Sequence, residues 1–228
     1  MRSALAFLTP FGGARNPTSR SLDWFPVVGA LIGLALGGIW WESGRHWSPL
    51  VAAALVVSAD LVLTGLLHMD GLADSADGLI APMSRARRLT VMADPTTGAF
   101  GVATVAVVIV LRVSALSSIA PAPLLLAGLW CASRTTMAVI ARTLPYARSG
   151  GLATAFLGGR ALPVAIVGTV LAAALATAGA AHLSSRAVGV VAVAACLGSG
   201  GLVAALAQRR LGGARHVTGE AAESALGQ

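Results

Sequence analysis

Six long apolar stretches constrain this chain of 228 residues more than any other feature. A helix needs about 20 mostly apolar residues to cross a bilayer, and charges, prolines and glycines separate the six stretches. Their bounds are Phe25–Trp41, Leu50–Met69, Ala99–Ala120, Leu124–Leu144, Leu162–Leu183 and Ala187–Ala207. We therefore expect an all-α, polytopic membrane bundle of about six transmembrane helices, with residues 1–228 forming a single membrane-embedded domain.

The composition excludes an ordinary soluble domain. Charged residues make up 11% of the chain and hydrophobic residues 56%, whereas a soluble domain carries roughly 25% charged residues. The 16 basic residues are all arginines, and 12 of them fall in the N-terminal segment, the second and fourth loops and the tail. Because short cytoplasmic loops are rich in basic residues, this pattern predicts that both termini and the polar loops are cytoplasmic. It also explains the net charge of +7 without a nucleic-acid partner.

Small residues inside the apolar stretches are expected to serve packing. Gly29, Gly33 and Gly37 recur every four residues, which places them on one helix face where a neighbouring helix can approach closely. Cys131 and Cys196 show no metal-binding or paired spacing, so we expect them to be small buried hydrophobic residues.

The longest polar stretch runs from His68 to Gly98 and contains an aspartate pattern. Asp70, Asp74 and Asp77 stand at positions i, i+4 and i+7, which places all three on one side of a helix. Such carboxylates repel one another unless a cation neutralises them, and Mg²⁺ prefers oxygen ligands of this kind. The simpler alternative is a solvated acidic face. The scarcity of charges elsewhere, together with Gly71 and Gly78, which leave room for a ligand, favours the metal site.

Two neighbouring features carry open alternatives. His68 is either a ligand or proton-transfer group, or a polar residue at the lipid interface. The segment from Asp94 to Gly101 opens the third stretch with Thr96, Thr97 and Gly98. Its backbone N–H groups can bind a phosphate, or Thr96 or Thr97 can simply cap the helix.

Charged residues inside the apolar stretches are costly, so they are candidates for pairing or function. For Asp60 and Arg112 we favour a buried structural pair. For Arg134 we favour contact with phosphate, because the planar guanidinium suits phosphate oxygens. Taken together, the residues indicate a phosphotransferase that binds Mg²⁺ and phosphate at the cytoplasmic membrane surface. A transporter or permease subunit is the main alternative, although transporters usually place their polar residues near the bilayer midplane.

Several motifs, in the same order along the chain, resemble the adenosylcobinamide-GDP ribazoletransferase (cobalamin synthase) family of bacteria. The most specific is the HxDGxADxxDG block that begins at His68. The blocks that carry the resemblance are Phe7–Pro10, Trp24–Gly33, Thr64–Leu79, Met92–Gly101, Ser133–Ala138 and Tyr146–Leu152.

This resemblance implies a Mg²⁺-dependent, multi-pass enzyme of the bacterial inner membrane whose active site faces the cytoplasm. In that family the 3′-hydroxyl of α-ribazole, or of α-ribazole 5′-phosphate, attacks the cobinamide-linked phosphate of adenosylcobinamide-GDP. The products are adenosylcobalamin, or its 5′-phosphate, and GMP. Membrane lipid surrounds such an enzyme, and the sequence leaves open whether the chain forms a homo-oligomer or associates with other cobalamin-assembly enzymes.

The resemblance also implies roles for individual residues. Asp70, Asp74 and Asp77 would hold Mg²⁺ and the diphosphate. Asp94 would be a further ligand or the base that accepts the hydroxyl proton, with His68 as the second choice of base. The remaining substrate-binding residues would be Arg134, Tyr146, Arg148, Gly71, Gly78, Thr97 and Gly98.

A CDP-alcohol phosphotransferase would use similar chemistry, but its pattern requires an arginine that is missing after Asp70-Gly71. The chain also departs from the cobalamin synthase family in its tail. The usual compact GGxTGD block is divided, with Gly212-Gly213 separated from Thr218-Gly219-Glu220 and a glutamate in the place of the aspartate.

Overall fold

This computed structural model describes residues 1–10, 13, 18–94, 96–144, 159–181, 183 and 186–211. These ranges contain helices and no strands, as predicted. The chain begins with a short helix α1 and a 3₁₀ helix, and all later elements are α-helices. Their bounds are α1 Arg2–Leu8, the 3₁₀ helix Ser19–Trp24, α2 Phe25–His46, α3 Pro49–Leu63, α4 Leu67–Leu79, α5 Arg85–Val91, α6 Ala99–Ser117, α7 Pro123–Thr143, α8 Ala161–Ala180 and α9 Arg186–Leu211.

Five helices in the described ranges are long and apolar enough to span a membrane, namely α2, α6, α7, α8 and α9. Helices α3 and α4 pass the same test only as a pair, and they are bent by 90° relative to each other. The count is therefore five, or six if the bent pair is one broken span. The predicted multi-pass helical bundle is confirmed.

The second apolar stretch differs from the prediction, which ran unbroken to Met69. The structure ends α3 at Leu63 and starts α4 at Leu67. Between them Gly65 (φ 57°) and Leu66 (φ 61°) both adopt the left-handed conformation. For leucine this conformation costs about 1–2 kcal/mol, so the surrounding packing must hold the break in place. The break turns α4 away from α3 and allows it to pack along α6.

Helix α7 lies at the centre of the bundle and packs against α2, α8 and α9. The glycine stripe of α2 faces it, as predicted. A Cβ added to Gly33 would lie 2.6 Å from the Leu126 carbonyl oxygen, and one added to Gly29 would lie 2.7 Å from Cγ of Arg134. Glycine is required here because the two backbones approach so closely. This contact fixes the position of Arg134 on the buried side of α7.

Arg142, at the end of α7, joins three parts of the chain at one end of the bundle. Its Nη2 donates to the Ser19 carbonyl (2.8 Å) and to Oδ1 of Asp23 (2.9 Å), and its Nη1 donates to the Arg160 carbonyl (3.0 Å). From the sequence, the arginines in this part of the chain indicated only a cytoplasmic loop. The hydrogen bonds of Arg142 connect the segments that precede α2 and α8 to the end of α7.

Candidate functional site

Helix α4 carries the three predicted aspartates on one face. Their burial increases along the helix: Asp70 is exposed, Asp74 is half-buried and Asp77 is buried, with 7% of its surface exposed. The charges of Asp70 and Asp77 both act on Asp74, so the three carboxylates form one electrostatic group. We call this surface the aspartate face of α4.

Asp77 is anchored by the first turn of α6. Its Oδ2 accepts a hydrogen bond from the Gly98 backbone N–H (2.7 Å), and its Oδ1 accepts one from the Gly101 N–H (2.9 Å). A Cβ on Gly98 would lie 2.6 Å from a carboxylate oxygen of Asp77, and one on Gly101 would lie 2.5 Å from the other. Both glycines are therefore needed for the carboxylate to reach the helix start, where the positive end of the helix dipole stabilises its charge.

This contact bears on both interpretations of the segment from Asp94 to Gly101, and the cap made by Thr96 or Thr97 is wrong. Gly98 is the N-cap of α6, and no side chain within the segment caps the helix. Two of the backbone N–H groups that could bind a phosphate donate to the Asp77 carboxylate instead. The predicted role of Thr97 and Gly98 in substrate binding stays a prediction, with the Gly98 N–H already in use.

Asp94 forms a local turn with Thr96. The Thr96 hydroxyl donates to Oδ1 of Asp94 (2.6 Å), and so does the Thr96 backbone N–H (2.9 Å). These two hydrogen bonds, the hydroxyl first, lower the pKa of Asp94 below its usual value because they stabilise the ionised form. Asp94 is therefore a carboxylate at neutral pH and a weak proton acceptor.

The two glycines of the aspartate motif have different surroundings. A Cβ on Gly71 would meet nothing within 4 Å, so the helix surface beside Asp70 and Asp74 is open. Gly78 is buried, and a Cβ there would collide with the Met92 side chain. Both glycines were expected to leave room for a ligand. Gly71 does so, whereas the Met92 side chain fills the space at Gly78.

Arg88 donates hydrogen bonds to carbonyl groups at the end of α4. The sequence did not predict this role. Arg88 is buried, and its Nη1 donates to the carbonyls of Gly78 (2.6 Å) and Ala81 (3.0 Å). Arg210 of α9 also donates to a carbonyl there, that of Leu79. A guanidinium at a helix C-terminus satisfies carbonyls that have no partner within the helix. The basic residues of the loop predicted only the orientation of the chain in the membrane. Their spacing did not indicate that an arginine binds the carbonyls at the end of α4.

The aspartate face suits Mg²⁺ in its donor chemistry but lacks a complete set of protein ligands. Within the described ranges, no group of three or more Asp, Glu, His or Cys side chains is arranged to hold a metal ion. No salt bridge in the same ranges includes Asp70 or Asp74. Mg²⁺ is usually held by one or two carboxylates together with substrate phosphates. Asp70 and Asp74, which are accessible and have no salt-bridge partner in the described part of the chain, fit that pattern.

His68 lies on the other side of α4. At about 100° per residue, the three aspartates stand roughly 180–240° around the helix from His68. The His68 side chain instead lines a cavity with Arg134, Asp60 and Arg112. It is therefore not placed to take a proton at the aspartate face.

The predicted pair of intramembrane charges is confirmed. Nη2 of Arg112 lies 2.7 Å from Oδ2 of Asp60, and the Trp130 indole N–H donates to the other oxygen, Oδ1, over 3.0 Å. The Arg112 guanidinium also lies over the Trp130 ring, 5.3 Å from its centroid. Both oxygens of Asp60 are satisfied, which is the condition under which a buried ion pair is tolerated.

The remaining predicted residues have different outcomes. Arg134 is buried, with 5% of its surface exposed. Cys131 is buried and Cys196 half-buried, both as free thiols. Tyr146, Arg148 and the divided tail block lie outside the described residues.

Fold and site together define a multi-pass membrane protein in which a short acidic helix packs against the start of a transmembrane helix. Residues 1–219 match the model of a family described as cobalamin-5-phosphate synthase. The chain belongs to this family. No solved structure matches it significantly.

Relatives named adenosylcobinamide-GDP ribazoletransferase are similar over much of the chain. The protein of Chlorobium phaeovibrioides is 39% identical over 163 residues, which cover 70% of this chain and 65% of the relative. The protein of Pseudomonas aeruginosa is 37% identical over 193 residues, 77% of each chain. The chain thus spans just under two thirds of the Chlorobium relative's length.

Proposed function

We propose that this protein is a Mg²⁺-dependent ribazoletransferase that joins adenosylcobinamide-GDP to α-ribazole or α-ribazole 5′-phosphate and releases GMP. The observation that carries the proposal is the aspartate face, where Asp70 and Asp74 have no salt-bridge partner among the described residues and Asp77 fixes their helix to α6. Family membership and the names of the relatives support the substrates.

In the proposed reaction, the acceptor's 3′-oxygen forms a bond to the cobinamide-linked phosphorus, and the bond from that phosphorus to the GMP phosphate breaks. Asp70 and Asp74, with the remaining lone pairs of Asp77, would hold Mg²⁺. The bound ion would neutralise phosphate oxygens and stabilise the charge on departing GMP. Gly71 would let the diphosphate approach the helix, since its surface is open.

Asp94 has two proposed roles, as a metal ligand or as the base. Its lowered pKa favours the role of ligand, because a general base works best with a pKa near the working pH. His68 is the weaker candidate for the base, since it faces away from the aspartates. Arg134 and Arg148 would contact phosphate. Arg134 lies with His68 beneath α4. The phosphate that it contacts would therefore differ from the phosphate bound at the aspartate face.

We place the enzyme in the bacterial inner membrane with the aspartate face toward the cytoplasm. The arginine distribution supports this orientation, because the basic residues concentrate at the loops that precede α2 and follow α4, α7 and α9. The alternative function, that of a permease, would also require membrane-spanning helices, but a permease would not consume a nucleotide.

The test is an assay of the detergent-purified full chain with adenosylcobinamide-GDP, α-ribazole 5′-phosphate and Mg²⁺, in which GMP and the corrinoid product are separated by chromatography. We expect GMP and a cobalamin product in equal amounts, and neither in a parallel sample with EDTA. Folded protein that releases no GMP in Mg²⁺ contradicts the proposed activity. Equal release in EDTA contradicts the metal requirement alone.

A further inference from the structure

A polar cavity lies beneath α4, on the side opposite the aspartate face. It has a volume of about 380 Å³, and α3, α4, α6, α7 and α9 all contribute to its lining. Its polar side chains are Asp60, His68, Arg112, Ser133 and Arg134. A pocket of this size accommodates a small ligand or one part of a larger ligand.

The walls of the cavity carry an excess of positive charge. The Asp60 carboxylate is neutralised by Arg112 at 2.7 Å and receives a second hydrogen bond from Trp130. Asp60 is also the carboxylate that acts on Arg134, and among the described residues no second carboxylate lines the cavity. The described part of the lining therefore holds two guanidinium groups and one carboxylate, a surplus of one positive charge inside the membrane protein.

Arg134 has unused hydrogen-bonding capacity in this cavity. Only 5% of its surface is exposed. Its guanidinium nevertheless makes a single side-chain hydrogen bond in the described ranges, from Nη1 to the Ser133 hydroxyl at 3.1 Å. Its Nε and the Nε2 of His68 are buried without a partner among the described residues. Arg134 and Arg112 share the single carboxylate of Asp60, and incomplete neutralisation of buried guanidinium groups is unfavourable, so an anionic ligand is the natural complement.

A phosphate bound in the cavity differs from one bound at the aspartate face, because the two surfaces lie on opposite sides of α4. The helix with its side chains is about 10 Å across. Gly71 lies between them on the helix circumference, about 60° from Asp74 and about 60° from His68 at 100° per residue. Since a Cβ on Gly71 would meet nothing within 4 Å, one ligand can pass over Gly71 and reach both surfaces.

An apolar cavity of about 480 Å³ adjoins the polar one and shares Ser133 and Cys196 with it. Ser75 and Leu79 of α4 line it, and Met137 and Val203 contribute apolar surface from α7 and α9. The crevice beneath α4 thus has a cationic end and an apolar end. This arrangement suits a ligand that combines a phosphate with a flat apolar ring.

We propose that the crevice binds the acceptor substrate, with Arg134 and His68 as the contacts for its 5′-phosphomonoester and the adjoining apolar cavity as the place for its base. The proposal rests on the proposed function for the identity of the acceptor. A phospholipid headgroup offers the same phosphate chemistry, and the experiment separates the two sources.

The experiment measures equilibrium binding to the detergent-purified full chain in EDTA, without the GDP-linked donor, so that no reaction occurs. Kd values are determined for α-ribazole 5′-phosphate and for α-ribazole. Their ratio gives the preference for the phosphate. We expect Arg134→Gln to lower this preference about tenfold or more, because a charge-assisted hydrogen bond to phosphate is lost. His68→Gln and Arg134→Lys should lower it less, and the control Arg45→Gln, at the end of α2, should leave it unchanged.

An equal loss of affinity for both acceptors in Arg134→Gln, or no loss for either, overturns the proposal. If this variant does not fold, the same ratio measured in Arg134→Lys and His68→Gln decides. Phosphatidylglycerol that binds through Arg134 and leaves the acceptor's preference intact identifies a lipid site and also overturns it. A wild-type chain that shows the preference but releases no GMP with donor and Mg²⁺ contradicts the proposed function and leaves the phosphate site standing.

Discussion

The carboxylate of Asp77, near the end of α4, accepts a hydrogen bond of 2.9 Å from the backbone N–H of Gly101 in the first turn of α6. A second bond from Gly98 completes the contact. Two helices that are separated in sequence by the whole of α5 are thereby held together. Within the part of the chain that the structure describes, the neighbouring Asp74 has no such bond, so two aspartates of one motif have different physical roles.

Asp77→Ala should destabilise the fold, whereas Asp74→Asn should not. Removing the Asp77 carboxylate leaves two amides of α6 without their acceptor, and we expect the free energy of unfolding to fall by about 3 kcal/mol. Neutralising Asp74 relieves repulsion from Asp70 and Asp77. Thermal unfolding in detergent, followed by tryptophan fluorescence, measures both. Equal midpoints for wild type and Asp77→Ala would show that the contact does not hold α6.

Gly71→Ala and Gly78→Ala form a matched pair on the same helix. A Cβ at Gly78 meets Met92, while one at Gly71 meets open space. We expect Gly78→Ala to lower the unfolding midpoint and Gly71→Ala to keep it, because alanine favours helix by up to about 1 kcal/mol over glycine. Gly71→Ala should instead raise KM for the substrates. A Gly71→Ala enzyme with wild-type KM would argue against an approach of substrate over this residue.

The buried pair of Asp60 and Arg112 should show strong coupling in a double-mutant cycle. Asp60→Asn leaves the Arg112 charge without its partner, for which we expect a loss of about 3 kcal/mol in unfolding free energy. Arg112→Gln in the same protein should restore part of this loss. Additive effects of the two substitutions in SDS-unfolding titrations would mean that the pair does not interact energetically.

Thr96→Val should change the pH dependence of turnover if Asp94 takes part as a carboxylate. Because hydrogen bonds from Thr96 lower the pKa of Asp94, its ionised form is stabilised, and this effect is present above the ordinary pKa and lost as the pH falls through the lowered value. Valine removes the hydroxyl donor and keeps the backbone donor. The acid limb of the kcat profile should therefore move to higher pH. An unmoved acid limb would remove Asp94 from the reaction.

Much of the fold follows from local patterns in the sequence. Apolar length predicted the helices at Phe25, Ala99, Pro123 and Ala161 to within a few residues, since lipid demands continuous helices. The face shared by Gly29, Gly33 and Gly37 and the pair of Asp60 with Arg112 were also predicted. Close approach of two helix backbones requires small residues, and a charge buried in the membrane requires a partner. Each requirement leaves few possible arrangements.

The features that the sequence analysis missed depend on contacts between distant residues. The break at Leu66 has a leucine where a turn would favour glycine, and the partner amides of Asp77 lie more than 20 residues along the chain. Helical periodicity alone places His68 on the side of α4 opposite the aspartates. The burial of Arg134 against Gly29 depends on how α2 and α7 pack, which periodicity alone does not give.

The most direct test of the aspartate face as the reaction site is the rate of GMP release by Asp70→Asn/Asp74→Asn. Glu42→Gln is the matched control, because it neutralises an exposed carboxylate at the end of α2 that pairs with Arg45 and His46. With wild-type unfolding midpoints for both variants, we expect the double variant to lose at least about 100-fold in kcat and the control to keep its rate. A folded double variant that releases GMP at the wild-type rate contradicts the account.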